Sequence, residues 1–498
     1  MKIIRNFLLL LFSGILSMSL YGQVQIGPTI TASEEGFAFG QNVQISEDGK
    51  KIAVSGYGTS TQGVAVFENR NGDWVQQSLE VPSDFPENQT IYSVAMSSDG
   101  TKIAVGSVVN TFDENNGNVK VFQYVDNTWS QLGNTIEGNV KNELFGRSIA
   151  ISDDGNRVVV GARLNSEVLH FSGRVGVYDY KNAVWSQVGE SIYGNRKGFK
   201  IGSSVAISAD GAYVFLGSNA AYSNQGNTLP FFEGSVESRR LEDNNWVIRS
   251  SELGDKFDHF GFDVAASNDG TIVASGASEF KASNGYVNLF RIYNTNGILV
   301  PSTKVRGKTN EYLGSSVSLS GDGRRLVVGA ASSDNSDFKE SITIVETNGN
   351  EYIEIDRILN PNNTPQFGSS VAISSDGNTV VVGALDYKYM QTGTETGSVR
   401  VYDISGLESP EPYSEDMDDN DSDIALVVFP SPASNELFCN NCEGVSEWYI
   451  ADVTGKRVSS TLVNTADSLD VSGLQSGVYY VFLLKVNEEV TVKKFIKK

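Results

Sequence analysis

The sequence predicts an all-β chain: a seven-bladed β-propeller over residues 23–405, closed by its N-terminal strand, then a small C-terminal β-sandwich over 424–498. Three observations predict it. Asp-Gly pairs recur at 48–49, 99–100, 154–155, 210–211, 269–270, 322–323 and 376–377. The residues flanking each pair alternate, or run apolar and β-branched, as strands do. Helical periodicity is almost absent.

The repeat has four landmarks. Serine stands two positions before every Asp: Ser46, Ser97, Ser152, Ser208, Ser267, Ser320 and Ser374. Glycine stands eight before in six copies, with Ile91 in the second, and seven after in six copies, with Ser55 in the first. Runs such as Val205-Ala206-Ile207 and Val158-Val159-Val160 read as two strands joined at Ser-x-Asp-Gly, where Gly takes the positive φ of a tight turn. A third strand begins at glycine, as in Gly173–Tyr178, and a fourth opens near Trp74, Trp129, Trp185 or Trp246. Four antiparallel strands make one blade, and blades bury their faces on each other. Ala95, Ala150, Ala206, Ala265 and Ala372 occupy one position of the first strand, where an innermost strand is crowded. The seventh copy lacks a fourth strand. Val24–Ile30 resembles Ser130–Ile136, so the N-terminal strand is expected to complete the last blade and remove its open edge.

Composition sets limits on function. Forty per cent hydrophobic residues supply a packed core. Sixty acidic residues against 38 basic give −22, a surface that repels nucleic acid. His170 and His259 are the only histidines, which argues against a multi-His metal site. No cofactor is implied.

Residues 1–22 read as a signal peptide: Lys2 and Arg5, an apolar run from Phe7 to Leu20, and a small residue, Gly22, before Gln23. A membrane anchor is the alternative, although the run falls short of the ~20 residues a span needs. No later stretch reads as transmembrane. Removal of the signal takes the charge from −22 to −24. Residues 406–423 read as an acidic linker. Calcium binding by Asp416, Asp418, Asp419, Asp421 and Asp423 is the other reading, but the glycine and glutamate of an EF-hand loop are missing.

In the tail, strands are expected at Ile424–Val428, Glu447–Val453, Ser468–Val471, Gly477–Leu484 and Val490–Ile496. Four ordered strings, Val428–Asn435, Ala451–Lys456, Leu469–Tyr480 and Lys493–Lys498, resemble the type A C-terminal sorting domain of the type IX secretion system. Ser431 stands where that family commonly has Asn. The resemblance implies a Bacteroidota-type cell, engagement of the type IX machinery, passage through the periplasm, and release or attachment at the surface. Cys439 and Cys442 form either a local disulfide or two free thiols.

The blades loosely resemble FG-GAP repeats, on Phe145-Gly146 with Val160-Gly161-Ala162 and on Phe367-Gly368 with Val382-Gly383-Ala384. The calcium loop of that family is missing, so calcium binding is not carried over.

Strand order puts the variable second-to-third and inter-blade connections on one face, where function tends to sit. Its aromatics, Phe112, Phe171, Tyr222, Phe231, Phe232, Phe280, Tyr387 and Tyr389, could stack on sugars or anchor a protein, or cap the loops' own cores. Catalysis has little support: a triad would need His170 or His259, and carboxylate pairs are expected from composition alone. The reading is a secreted or cell-surface binding or adhesion protein for a glycan or protein. Its rivals are a carbohydrate-active enzyme with a carboxylate pair and a structural surface component.

Overall fold

The computed structural model describes residues 23–31, 39–57, 62–77, 89–109, 116–219, 233–256, 258–278, 284–292, 299–308, 310–331, 340–349, 351–361, 364–385 and 397–410. In the tail it describes 427–429, 436–440, 445–452, 457–462, 468–485 and 490–497. The signal segment 1–22 and the proposed calcium ligands of the linker lie outside these residues.

Every named element is a β-strand, and every ladder between them is antiparallel. Seven sheets follow one another along the chain. The third shows the pattern: Phe145–Ile151, Arg157–Ala162, Arg174–Lys181 and Val184–Gln187 pair in that order, and Ile192–Tyr193 extends the edge. The first strands of the seven sheets are Asn42–Ile45, Gln89–Met96, Phe145–Ile151, Ser204–Ile207, Val264–Ala266, Leu313–Leu319 and Phe367–Ile373.

Each first hairpin turns at Ser-x-Asp-Gly with the same local network. Ser152 Oγ donates to Asp154 Oδ1 at 2.6 Å, and the Asn156 amide donates to that oxygen at 2.9 Å. The Arg157 amide then donates to Ser152 Oγ at 3.0 Å. The seven turn glycines have φ of 62–73°, a region that side chains disfavour. Serine and aspartate thus satisfy donors that a two-residue turn leaves open.

The turn residue between serine and aspartate carries a second feature. The Glu47 amide donates to the Ser98 carbonyl, Ser98 to Asp153, Asp153 to Ala209, Ala209 to Asn268, Asn268 to Gly321, Gly321 to Ser375, and Ser375 back to Glu47, at 2.7–3.1 Å.

Consecutive sheets share their cores. One cluster joins Val119 and Ile136 of the second sheet to Phe145 and Val158 of the third. Another joins Val43 and Val54 of the first sheet to Val381 and Val399 of the seventh. The landmark glycines make these approaches possible: a Cβ on Gly106 would meet the Gly146 carbonyl at 2.0 Å, and one on Gly383 would meet the Gly40 carbonyl at 2.2 Å.

The N-terminal residues pair with the seventh sheet: Val24 and Gln25 oppose Asp403 and Tyr402, and Ile30 and Thr31 oppose Val399 and Ser398. The register matches that of Ile136 against Val119 in the second sheet. Trp74 Nε1 donates to the Ile26 carbonyl as Trp185 Nε1 donates to that of Leu132.

The tail forms two sheets. One holds Val427–Phe429, Glu436–Asn440 and Ser468–Asp470, and the other Arg457–Leu462, Val445–Asp452, Gly477–Lys485 and Val490–Lys497. Glu436–Asn440 and Arg457–Leu462 are strands that the sequence reading does not contain. The first is a run of only three apolar residues between Glu436 and Asn440, and the second is interrupted by Ser459-Ser460-Thr461, so neither gives a clear alternating signal. Trp448, Ile450 and Val481 are buried, and Tyr449 stacks on its cross-strand partner Phe482 at 4.7 Å. Cys439 lies in a strand opposite Val428. Its side chain and Cys442 are outside the described residues.

Candidate functional site

The first strands of all seven sheets line one cavity of about 320 Å³. Small middle residues leave this space: Ala95, Ala150, Ala206 and Ala265 face it. One turn-distal position per strand supplies a polar wall of Asn42, Ser93, Ser148, Ser204, Asp263, Ser316 and Ser370. These side chains also tie each sheet to the next. Ser93, Ser148 and Ser204 donate to the carbonyls of Gly146, Gly202 and Gly261 at 2.7, 2.8 and 3.0 Å. Ser316, Ser370 and Asp263 accept from the amides of Val371, Val43 and Val317 at 3.1, 2.8 and 2.8 Å. The polar wall is therefore held rigidly. Burial pushes the Asp263 carboxyl up to about 6 against the pull of its backbone hydrogen bonds.

The two ends of the cavity differ in charge. At the Asp-Gly end lies the hydrogen-bonded cycle through Glu47 and Asp153. Ser98 Oγ donates to Glu47 Oε2 at 2.9 Å. Burial, then the charges of Glu47 and Asp154, push the Asp153 carboxyl up. At the other end, Arg147 lines the cavity and lies over the Tyr92 ring, Cζ 3.9 Å from its centroid. Arg163 follows the second strand of the same sheet, and burial, then the charge of Arg147, push its guanidinium down to about 10. Lys200 precedes the next sheet, and burial, then the charge of Arg163, lower its ammonium.

Of the loop aromatics, Phe171 is described. It is half-buried, stacks on His170 at 3.9 Å, and accepts the Lys200 amide at its carbonyl, at 3.1 Å. It is not among the residues that line the cavity. Phe112, Tyr222, Phe231, Phe232, Phe280, Tyr387 and Tyr389 lie outside the described residues. His259 has φ 56°, and its neighbour Asp258 accepts the amides of Asp255 and Phe260 and the Tyr286 hydroxyl at the same junction.

Sequence reasoning missed a set of buried acids in the inter-sheet connections. Glu143, Asp258 and Glu311 are fully buried and hold backbone amides of their own loops. The signal was present: each stands two residues before the apolar residue that precedes a landmark glycine, as in Glu143-Leu144-Phe145-Gly146. The cation cluster had no such signal, because Arg147, Arg163 and Lys200 meet only through the topology.

The chain carries an export address. Residues 427–498 match the family model of the secretion system C-terminal sorting domain. The type IX secretion machinery is its partner, and the protein is secreted or displayed at the cell surface. No curated protein matches the chain. Among solved structures, Raptor of Chaetomium thermophilum is similar at 13% identity and a TM-score of 0.48, over 78% of this chain and 29% of that one. The chain thus spans less than a third of that structure's length. Among the described residues no helix is long and apolar enough to cross a membrane.

Proposed function

We propose that residues 23–405 form a closed seven-bladed β-propeller, delivered by the sorting tail, that binds a glycan or protein at the cell surface without turning it over. Residues 1–22 act as signal peptide, 406–423 as an acidic tether and 424–498 as the sorting domain. The supporting observation is the cavity: seven first strands present a rigid polar wall, and inter-sheet hydrogen bonds hold its serines in place. Preorganised polar walls with few apolar groups suit hydroxyl-rich ligands.

A glycan array on the purified protein tests this reading. Specific binding without product formation is the expected result. The rival enzyme reading has one observation in its favour, the raised Asp153 beside Glu47. Product formation abolished by E47Q or D153N would establish it. The absence of any soluble ligand would favour a structural surface component.

A further inference from the structure

The turn-distal mouth of the cavity carries three departures from the repeat, and all three face the same space. In the position after the landmark glycine, the fourth, sixth and seventh sheets have Ser203, Ser315 and Ser369. Ser315 Oγ and Ser369 Oγ accept the amides of Ala331 and Leu385 at 3.2 and 3.3 Å, which ties each first strand to the residue after its second. Arg147 and Phe262 stand at that position in the third and fifth sheets, and neither side chain has an acceptor to offer. Phe262 is 38% exposed, and the Arg147 guanidinium lies over the Tyr92 ring. One residue further along the fifth sheet, Asp263 replaces serine. Ser316 Oγ and Ser370 Oγ each take one amide of the next sheet, from Val371 and Val43. Asp263 takes the Val317 amide on one oxygen and the Val264 amide on the other, at 2.8 and 3.0 Å. These bonds fix the carboxylate, and with about four acceptor sites it keeps capacity toward the cavity. A repeat gives up its own pattern where function needs another residue.

The shape limits what can enter. First strands of all seven sheets line the cavity, so no side is open along its length. The lining stops at Met96, Ile151, Ile207 and Ala266, one residue before the serine of each turn. Beyond them Ser98 Oγ reaches Glu47 at 2.9 Å and Asn268 Nδ2 reaches Ser375 Oγ at 3.2 Å, so side chains cross the floor. The cavity is a pit entered from the Phe262 end. At ~30 Å³ per water, its 320 Å³ holds about ten water-sized groups, close to the content of one sugar ring.

We propose that the pit takes the terminal sugar unit of a glycan, end-on. Phe262 packs on the apolar face of the sugar ring, Asp263 accepts from its hydroxyls, and Arg147 donates to them. The proposal rests on the glycan-binding reading above and narrows it to chain ends. A cleft lets a polymer lie across a protein, whereas a pit walled by seven strands admits one end of it. An exposed aromatic ring beside a fixed carboxylate matches the two sides of a sugar, one apolar and one rich in hydroxyls. The serines around them are already held by inter-sheet hydrogen bonds, so little ordering is left to do on binding.

Competition on a glycan array with the full-length protein tests this. The inhibitors are free D-glucose, D-galactose, D-mannose, L-fucose, N-acetyl-D-glucosamine and N-acetylneuraminic acid. Array-bound protein is expected to be displaced completely by the monosaccharide that ends the bound glycans, and affinity should not rise as the chain behind that unit lengthens. F262S and D263S restore the serine that other copies carry. F262S is expected to weaken binding about fivefold and D263S about tenfold or more. Ser316 performs the capping role with a hydroxyl, so D263S should keep the fold, which thermal melting checks for both variants. Glycan binding that none of the six monosaccharides inhibits, affinity that climbs with chain length, or undiminished binding by both variants overturns the proposal while the glycan reading stands. Binding of a protein and no glycan also overturns it and leaves the broader reading in place. No ligand of any class overturns both.

Discussion

The amide of Ser375 donates to the carbonyl of Glu47 at 3.1 Å, and the amide of Glu47 donates to Ser98 at 2.8 Å. Glu47 belongs to the first repeat and Ser375 to the last. Because the link runs between backbones, it does not require one side-chain type, and Glu, Ser, Asp, Ala, Asn and Gly all occur at that position. Joining the chain's distant ends costs loop-closure entropy, which is recovered only when the last contact forms.

Deleting residues 23–31 tests how much the closing segment contributes. The seventh sheet would lose the partners of Val399 and Tyr402 and the buried Ile30, and Trp74 Nε1 of the first sheet would lose its acceptor. The expected loss is about 3–6 kcal/mol, from one large apolar side chain and several hydrogen bonds. Urea unfolding followed by tryptophan fluorescence measures it, and light scattering should report association through the bared edge. An unchanged midpoint would mean that the segment is dispensable.

Gly383 and Gly40 meet across the junction of the last and first sheets. A Cβ on Gly383 would stand 2.2 Å from the Gly40 carbonyl, a backbone atom that cannot rotate away. G383A should cost about 2–4 kcal/mol through overpacking and forced backbone shifts. Gly63 is the control: nothing lies within 4 Å of its Cβ position, and G63A should leave the melting temperature nearly unchanged. Equal melting of the two variants would remove the close approach as the reason for these glycines.

The repeat was legible because turn geometry and close approach pin Ser, Asp and Gly to fixed positions. Even its exceptions carry information. Ser55 in the first copy and Ile91 in the second occupy the two positions that face each other at the first-to-second junction, where six other junctions place glycine on glycine. The N-terminal strand was legible too, through the likeness of Val24–Ile30 to Ser130–Ile136. The polar wall could be found by aligning the copies, with Asp263 standing where five copies have serine. The cation rim could not be found that way. Arg147, Arg163 and Lys200 belong to different parts of two repeats, and only the fold brings them together. The loop aromatics share only a predicted face of the fold, and Phe171 is the one whose surroundings are described.

Glu143 and Arg174 make a pair whose removal should be asymmetric. Glu143 also accepts the Asn139 amide at 2.8 Å and Asn165 Nδ2 at 2.6 Å. R174A strands a buried carboxylate and is expected to cost about 3–5 kcal/mol. The double variant E143Q/R174M, which removes both charges, should recover much of that loss. Chemical denaturation of the three proteins measures it. A double variant no more stable than R174A would show that charge is not what the pair manages.

Acid should act on this fold in two opposite ways. Burial pushes the turn carboxyls of Asp48, Asp99, Asp154, Asp269 and Asp376 up, but hydrogen bonds from serine and backbone outweigh it and hold each below 3.8. A depressed folded pKa gives stability that is complete above the unfolded value and is lost as pH falls through the folded one. Asp263 is the reverse: raised to about 6, it binds its proton more tightly folded than unfolded, so lowering pH through 6 toward 4 stabilises the protein. The unfolding midpoint should therefore rise from pH 7 to about 5 and fall steeply below about 4. Burial raises Glu252 to about 7 and Asp153 in the same direction, so D263N should reduce the rise without abolishing it, keep the acid fall, and exceed the parent at pH 7 by on the order of 1–2 kcal/mol. D154N should instead lower the midpoint at pH 7 and soften the fall. A D263N curve parallel to the parent's between pH 7 and 5 would mean that Asp263 stays ionised at no cost in the wall of the cavity.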